Sequence, residues 1–96
     1  MAFRTRLESV IQGEILKYLN NVPNSFCFKT ISVNKRGIPD ISFLYKGRAI
    51  YFEVKQPGRK PHQLQEHQMT KILSAGGYAY VVTSLDEVKD IINSVG

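Results

Sequence analysis

Hydrophobic positions along the chain follow first a helical and then a strand-like period. Leu7, Val10, Ile11, Ile15, Leu16, Tyr18 and Leu19 recur at helical spacing and predict a helix over residues 5–20. Asn20, Asn21 and Pro23 end it. Phe26 to Val33 alternates in part and is rich in aromatic and β-branched residues, so a strand is expected there. Residues 34–39 form a loop punctuated by Gly37 and Pro39. Asp40 to Tyr45 reads as a second strand and Ala49 to Lys55 as a third. The Lys46-Gly47 turn signal between them, with matched strand lengths, predicts a hairpin.

A basic loop over residues 56–61 precedes a helix predicted from His62 to Ala75. Its expected apolar stripe is Leu64, Met69, Ile72 and Leu73, and Gly76-Gly77 ends it. Tyr78 to Thr83 is nearly continuously apolar, as in a buried strand. Ser84 and Glu87 have the spacing of a capping box, and Val88, Ile91, Ile92 and Val95 mark a last amphipathic helix. The order is helix, three strands, helix, strand, helix. The first three strands can pair antiparallel, and the helix over 62–75 lets the fourth join by a crossover. The expectation is an α/β fold, a mixed sheet flanked by helices. No repeat, linker or low-complexity segment interrupts residues 1–96, which are read as one domain.

Composition narrows the function. Hydrophobic residues make up 43% of the 96, enough for one core. Thirteen Lys and Arg against eight Asp and Glu give a net charge of +5, which suits a polyanionic partner such as nucleic acid. A single cysteine, Cys27, excludes an internal disulfide and reads as a small core hydrophobe. No apolar run reaches the roughly 20 residues of a bilayer span. The N-terminus carries no signal-peptide stretch, so a cytoplasmic location is expected.

Three features carry chemistry. Gly37-Ile38-Pro39-Asp40 sets a carboxylate where loop becomes strand. In Glu53-Val54-Lys55, strand alternation puts Glu53 and Lys55 on one face with Tyr51, while Ile50, Phe52 and Val54 face the core. Hairpin pairing through Lys46-Gly47 brings Asp40 and Glu53 to the same end of the sheet. Two such carboxylates repel unless a cation lies between them, and a hard divalent ion such as Mg²⁺ is the natural occupant. Such an ion polarises a phosphoryl oxygen and activates water. Lys55 can stabilise transition-state charge or help orient and deprotonate that water. Taken alone, Glu53-Val54-Lys55 is an ordinary surface ion pair; the upstream Pro-Asp and the basic flanks give it meaning. His62 and His67, five residues apart, do not share a helix face and read as ordinary polar residues.

An aspartate after Pro39, followed by Glu53-X-Lys55 on the next strand, resembles the PD-(D/E)XK nuclease superfamily. The nearer resemblance is to the virus-type replication-repair nuclease (VRR-NUC) domain, and it covers most of the chain. Glu8-Ser9-Val10-Ile11-Gln12 is similar to the family's opening helix, Arg36 to Ile41 to its aspartate motif, and Tyr51 to Lys55 to its central motif. Lys60-Pro61-His62-Gln63-Leu64-Gln65 resembles its glutamine-bearing helix start, and Gly76-Gly77-Tyr78 through Ser84 its following strand.

The resemblance implies a restriction-endonuclease-like αβββαβ core and Mg²⁺-dependent DNA cleavage, with Mn²⁺ able to substitute. It implies Asp40, Glu53 and the Val54 carbonyl as metal ligands and Lys55 as the catalytic lysine. Gln65 would hold the lysine or the phosphate, with Gln63 or Gln68 as fallbacks, and Glu8 would support the metal waters. Helical geometry alone leaves Glu8 and Glu14 both flanking the apolar stripe. Stand-alone members of this type resemble Holliday junction resolvases, which implies a homodimer cutting four-way junctions and a phage-like origin. A two-fold dimer would also double a small footprint. Lys35, Arg36, Arg59 and Lys60 are the candidate DNA contacts. The alternatives are a nuclease for flaps or nicked DNA, a catalytically silent nucleic-acid-binding module, and a structural protein whose charges only solvate a sheet.

Overall fold

The computed structural model describes residues 7–31 and 34–95. Helix α1 spans Glu8–Leu19, β1 Ser25–Lys29, β2 Ile41–Tyr45, β3 Arg48–Val54, α2 Gln63–Ser74, β4 Tyr78–Val82 and α3 Leu85–Ser94. The strands form one sheet in the order β1-β2-β3-β4. β1, β2 and β3 pair antiparallel, and β4 runs parallel to β3 after the α2 crossover. The α/β fold and mixed sheet expected from the sequence are present. The β2–β3 hairpin closes at Tyr45↔Arg48 through Lys46 (φ 51°) and Gly47 (φ 74°). Positive φ at both turn residues matches the right-handed twist of the arms.

In-register partners share a face, so the sheet sorts its residues in two. One face carries the rows Cys27–Phe43–Ile50 and Ile41–Phe52–Tyr80. Against it pack Ile11, Ile15 and Leu19 of α1 and Val88 and Ile92 of α3, completing the core. The other face carries Phe28, Ser42, Tyr51 and Glu53. Helix α2 packs against β4 and reaches Glu53 on this side.

Several expectations need adjustment. β1 ends at Lys29, short of Val33, and Ser32 and Val33 lie outside the described residues, as do residues 5 and 6 of the predicted first helix. The Thr30 N–H still bonds the Asp40 carbonyl at 2.8 Å, and the Thr30 hydroxyl bonds the Pro39 carbonyl. Of the stripe expected on α2, Met69 and Ile72 face inward and Leu64 and Leu73 do not. Leu64 and Leu73 are 44% and 53% exposed. The half-buried positions are Gln65, Gln68, Met69 and Ile72, at i, i+3, i+4 and i+7. Two glutamines thus occupy the inward stripe, which hid it from a hydrophobicity pattern. β4 is an edge strand, so only Val82 is fully buried and Tyr78 is exposed. Gly76 (φ 93°) and Gly77 end α2 by donating to the Leu73 and Ile72 carbonyls, a Schellman arrangement. Ser84 caps α3 through the Glu87 N–H, but Glu87 turns back to the N–H and hydroxyl of Thr83, one residue before the cap. Cys27 is half-buried against the core, donating to Asn20 Oδ1.

Phe52 stands at the centre of the core, fully buried between the rings of Phe43 and Tyr80 at 6.5 and 6.1 Å. Phe52→Ala is expected to cost about 3–5 kcal/mol of stability. Urea titration measures this, and a loss below ~1 kcal/mol would contradict the packing described.

Candidate active site

One step beyond the Ile41↔Phe52 pair, the ladder register sets Asp40 opposite Glu53. Here β2 gives way to the loop, and the Asp40 side chain takes over the pairing. Its Oδ2 accepts the Val54 N–H at 2.7 Å. The Pro39 carbonyl is taken by the Thr30 hydroxyl instead. The carboxylate is thereby fixed at the sheet end by a backbone donor. Glu53 lies beside it, on the face opposite the core, yet is only 2% exposed.

Lys55 follows β3, and its N–H extends the parallel ladder to the Val82 carbonyl at 3.0 Å. Its ammonium lies 3.5 Å from Glu53 Oε2 and is itself buried. Alternation from Glu53 to Lys55 holds in the structure. Gln65 closes the arrangement from α2. Its Nε2 donates to the same Glu53 Oε2 at 3.0 Å, and its Oε1 accepts the His62 N–H at 2.7 Å. Gln65 therefore meets Glu53, where the resemblance implied the lysine or a phosphate.

Loop and helix are clasped so that this geometry is kept. A Cβ on Gly37 would meet Leu64 Cγ at 2.8 Å, and Gly37 has φ 77°, so a side chain is excluded twice over. Gln68 Nε2 donates to the Arg36 carbonyl at 2.9 Å. Gly37 escaped the sequence reading as part of the site, and Gln68, there only a fallback for Gln65, grips the Arg36 carbonyl instead. The signal on the helix side was Gln65 and Gln68 sharing one face with Met69 and Ile72 at i, i+3, i+4 and i+7, polar residues on an inward stripe.

The two acids of α1 stand in different surroundings. Glu8 is close enough for its charge to act on Asp40. Glu14 instead stands near Lys17, Tyr18, Asn21 and Leu85. Arg36, Arg59 and Lys60 are exposed, as is Lys35. Arg59 and Lys60 sit on the loop whose two ends, Lys55 and Gln65, both contact Glu53. Gln63 is exposed. His62 caps α2, His67 is exposed, and neither contributes to the cluster.

Electrostatics mark the pair as strained. Burial, then the neighbouring Asp40 charge, pushes the Glu53 carboxyl up to about 7 despite Lys55. Asp40 is also raised, chiefly by burial, against the pull of the Val54 N–H.

No protein-family model matches the chain. Two solved structures described as VRR_NUC domains share its fold. One superposes with a TM-score of 0.79 at 21% identity, covering 93% of this chain and 97% of its own. The other has a TM-score of 0.78 at 16% identity, covering 94% and 88%. A protein of Acyrthosiphon pisum secondary endosymbiont phage 1, described as "Putative nuclease p44", is 35% identical over 91 residues, 92% of this chain and 94% of that one. This chain belongs to the VRR-NUC family.

The VRR-NUC site has the donors a hard cation requires. Among the described residues, two buried side-chain oxygens lack a partner, Glu53 Oε1 and Gln12 Oε1. Gln12 lies one helical turn from Glu8 on the same side of α1. Among the described residues no set of three or more His, Cys, Asp and Glu gathers around one point. The sparse oxygen donors fit Mg²⁺, which keeps several waters, better than a closed zinc cage.

The raised Glu53 group makes metal-free stability pH-dependent. Its folded value of about 7 exceeds the ordinary 4.5, so the folded chain holds the proton more tightly than the unfolded chain. Its stabilisation is present at acid pH and is lost as pH rises towards neutrality. Asp40→Asn removes the neighbouring charge while keeping an acceptor for Val54. Its metal-free Tm is expected to exceed that of the natural chain by about 4–8 °C near neutral pH, and by less in acid. Mg²⁺ should raise the Tm of the natural chain and not of Asp40→Asn. Parallel melting curves across pH would contradict this account.

Proposed function

We propose that this VRR-NUC protein is a Mg²⁺-dependent, structure-specific DNA endonuclease that cuts four-way junctions as a homodimer. The observation that carries the reading is the buried Glu53 carboxylate, with one unpartnered oxygen, beside the half-buried Asp40 carboxylate and the buried Lys55 ammonium. Leaving such groups together without chemistry to do is costly for so small a fold. The family membership supports phosphodiester hydrolysis as that chemistry.

In this reading Asp40, Glu53 and the Val54 carbonyl hold the ion. When bound, Mg²⁺ supplies Lewis-acid polarisation of the phosphoryl oxygen and lowers the pKa of a bound water. The Val54 N–H orients Asp40, and Gln65 orients Glu53. Lys55 bears on the transition-state charge and the attacking water, and Glu8 supports water bound nearby. Lys35, Arg36, Arg59 and Lys60 hold phosphates to either side. A two-fold dimer would present two such sites to two symmetry-related strands of a junction. Among the described residues no helix is long and apolar enough to cross a membrane. The phage origin of the relative supports action inside a bacterial host cell.

Cutting of a four-way junction should require Mg²⁺ or Mn²⁺ and be faster than cutting of flaps, nicked duplex or single strands. Lys55→Ala should lower the single-turnover rate about 10²–10³-fold with little change in junction affinity. Equal rates for the two proteins would sink the nuclease assignment, while preference for flaps would redirect the substrate. Junction affinity should weaken steeply with salt. Replacing any one of Lys35, Arg36, Arg59 or Lys60 by Ala removes a contact from each subunit and should reduce the log–log slope by about two units. Sedimentation at working concentration should give twice the 10.9 kDa chain mass.

A further inference from the structure

One row of the chemical face is not used by the site above. Register pairs Phe28 with Ser42 and Ser42 with Tyr51, so the three side chains stand in a line across β1, β2 and β3. The middle one is small and the outer two are aromatic. They line a cavity of about 300 Å³, together with Lys35 and Ile38. Two strand spacings separate the outer residues, ~9.5 Å. Ser42, only 3% exposed, forms the floor. Phe28 is 46% exposed and is backed by the Phe26 ring at 5.8 Å. A slot with two aromatic walls, a small hydroxyl floor and a lysine at its rim matches a flat heteroaromatic ring carrying a phosphate.

Its distance from the carboxylates gives the slot a role. The adjacent row on the same face contains Asp40 and Glu53, two residues along β2 and β3 from Ser42 and Tyr51. That separation is ~6.5–7 Å. A nucleotide whose phosphate lies at the carboxylates can reach the slot with its base. A base stacked in continuous duplex cannot enter it, because stacking holds neighbours ~3.4 Å apart along the helix.

We propose that the slot between Phe28 and Tyr51 takes the unstacked base of a nucleotide next to the scissile phosphate, with Lys35 on a flanking phosphate. The proposal rests on the nuclease reading for the place of the phosphate. It explains selection of DNA structure without base-specific contacts. Unstacking is cheapest at a branch point, mismatch or single-stranded end. The slot therefore admits branched DNA and rejects uninterrupted duplex.

The test is an abasic scan. Four-way junctions are made in which an abasic residue replaces, one at a time, the nucleotides flanking the cut. Affinity is read by anisotropy without metal, and cutting is read separately with Mg²⁺. For the natural chain, one abasic position should weaken binding about tenfold or more, the others little. Phe28→Ala, Phe28→Leu and Tyr51→Ala should bind that abasic junction and the intact one alike, and Tyr51→Phe should keep the discrimination. Phe28→Leu retains apolar bulk, so its loss of discrimination is not a folding defect. A flat scan, failure to bind junctions, or discrimination kept by the Phe28 variants would each overturn the slot. So would a Phe28→Ala protein that keeps discrimination and instead changes oligomeric mass, which would make this face a contact with a second copy. A protein that cuts but gives a flat scan loses the slot and keeps the nuclease reading. One that discriminates without metal but never cuts keeps the slot and loses that reading.

Discussion

Glu53 is a carboxylate held almost out of water, next to a second carboxylate, in a domain with one small core. Burial and repulsion both oppose its ionisation, and the surrounding structure is organised around that opposition. Lys55 and Gln65 converge on one of its oxygens, and the other has no partner. Asp40 is gripped by a backbone N–H that a longer β2 would have paired through its own backbone. The sheet ladder is cut short at Pro39, and the released donor is given to a side chain. An element of secondary structure ends where the candidate site begins.

The division of the sheet into two faces makes this affordable. Stability comes from the face under α1 and α3, where aromatic and aliphatic rows are closed off from solvent. The opposite face bears the carboxylates, the lysine and the aromatic row. Helix α2 serves that face, which is why it buries glutamines rather than leucines and adds no fully buried residue to the core. Close approach of Gly37 to Leu64, with the Gln68 bond to the Arg36 carbonyl, ties α2 to the loop that carries Asp40. Both halves of the site are thus positioned by the same pair of contacts.

The same arrangement suits a small protein acting on a large substrate. Exposed cations lie on the two loops that enter and leave the site. In the proposed reading they would supply sequence-independent attraction to a phosphate backbone. The aromatic row one step along the strands faces the same side as the carboxylates. Charge for affinity, carboxylates for chemistry and rings for structure discrimination would then share one surface.

The sequence alone determined the order of elements, the hairpin and the two core-facing helices, because hydrophobic period and turn chemistry are local properties. Lys46-Gly47 specified its turn through φ, and Ile11, Ile15, Val88 and Ile92 specified buried stripes through spacing. Asp40, Glu53 and Lys55 were legible as candidates since strand alternation and hairpin register place residues without a tertiary model. What only the tertiary structure decided was everything that depends on distance between elements. It separated Glu8 from Glu14, which flank the same stripe at similar angles and differ only in what lies opposite. It assigned Gln65 to Glu53 and Gln68 to a loop carbonyl, and turned α2 so that Leu64 and Leu73 face solvent. It shortened β1 and exposed β4, because a strand's burial and length are set by its neighbours in the sheet. Polar residues recruited to an inward face break the hydrophobic pattern that would reveal them, so the part of the fold that serves the site was the least visible in the sequence.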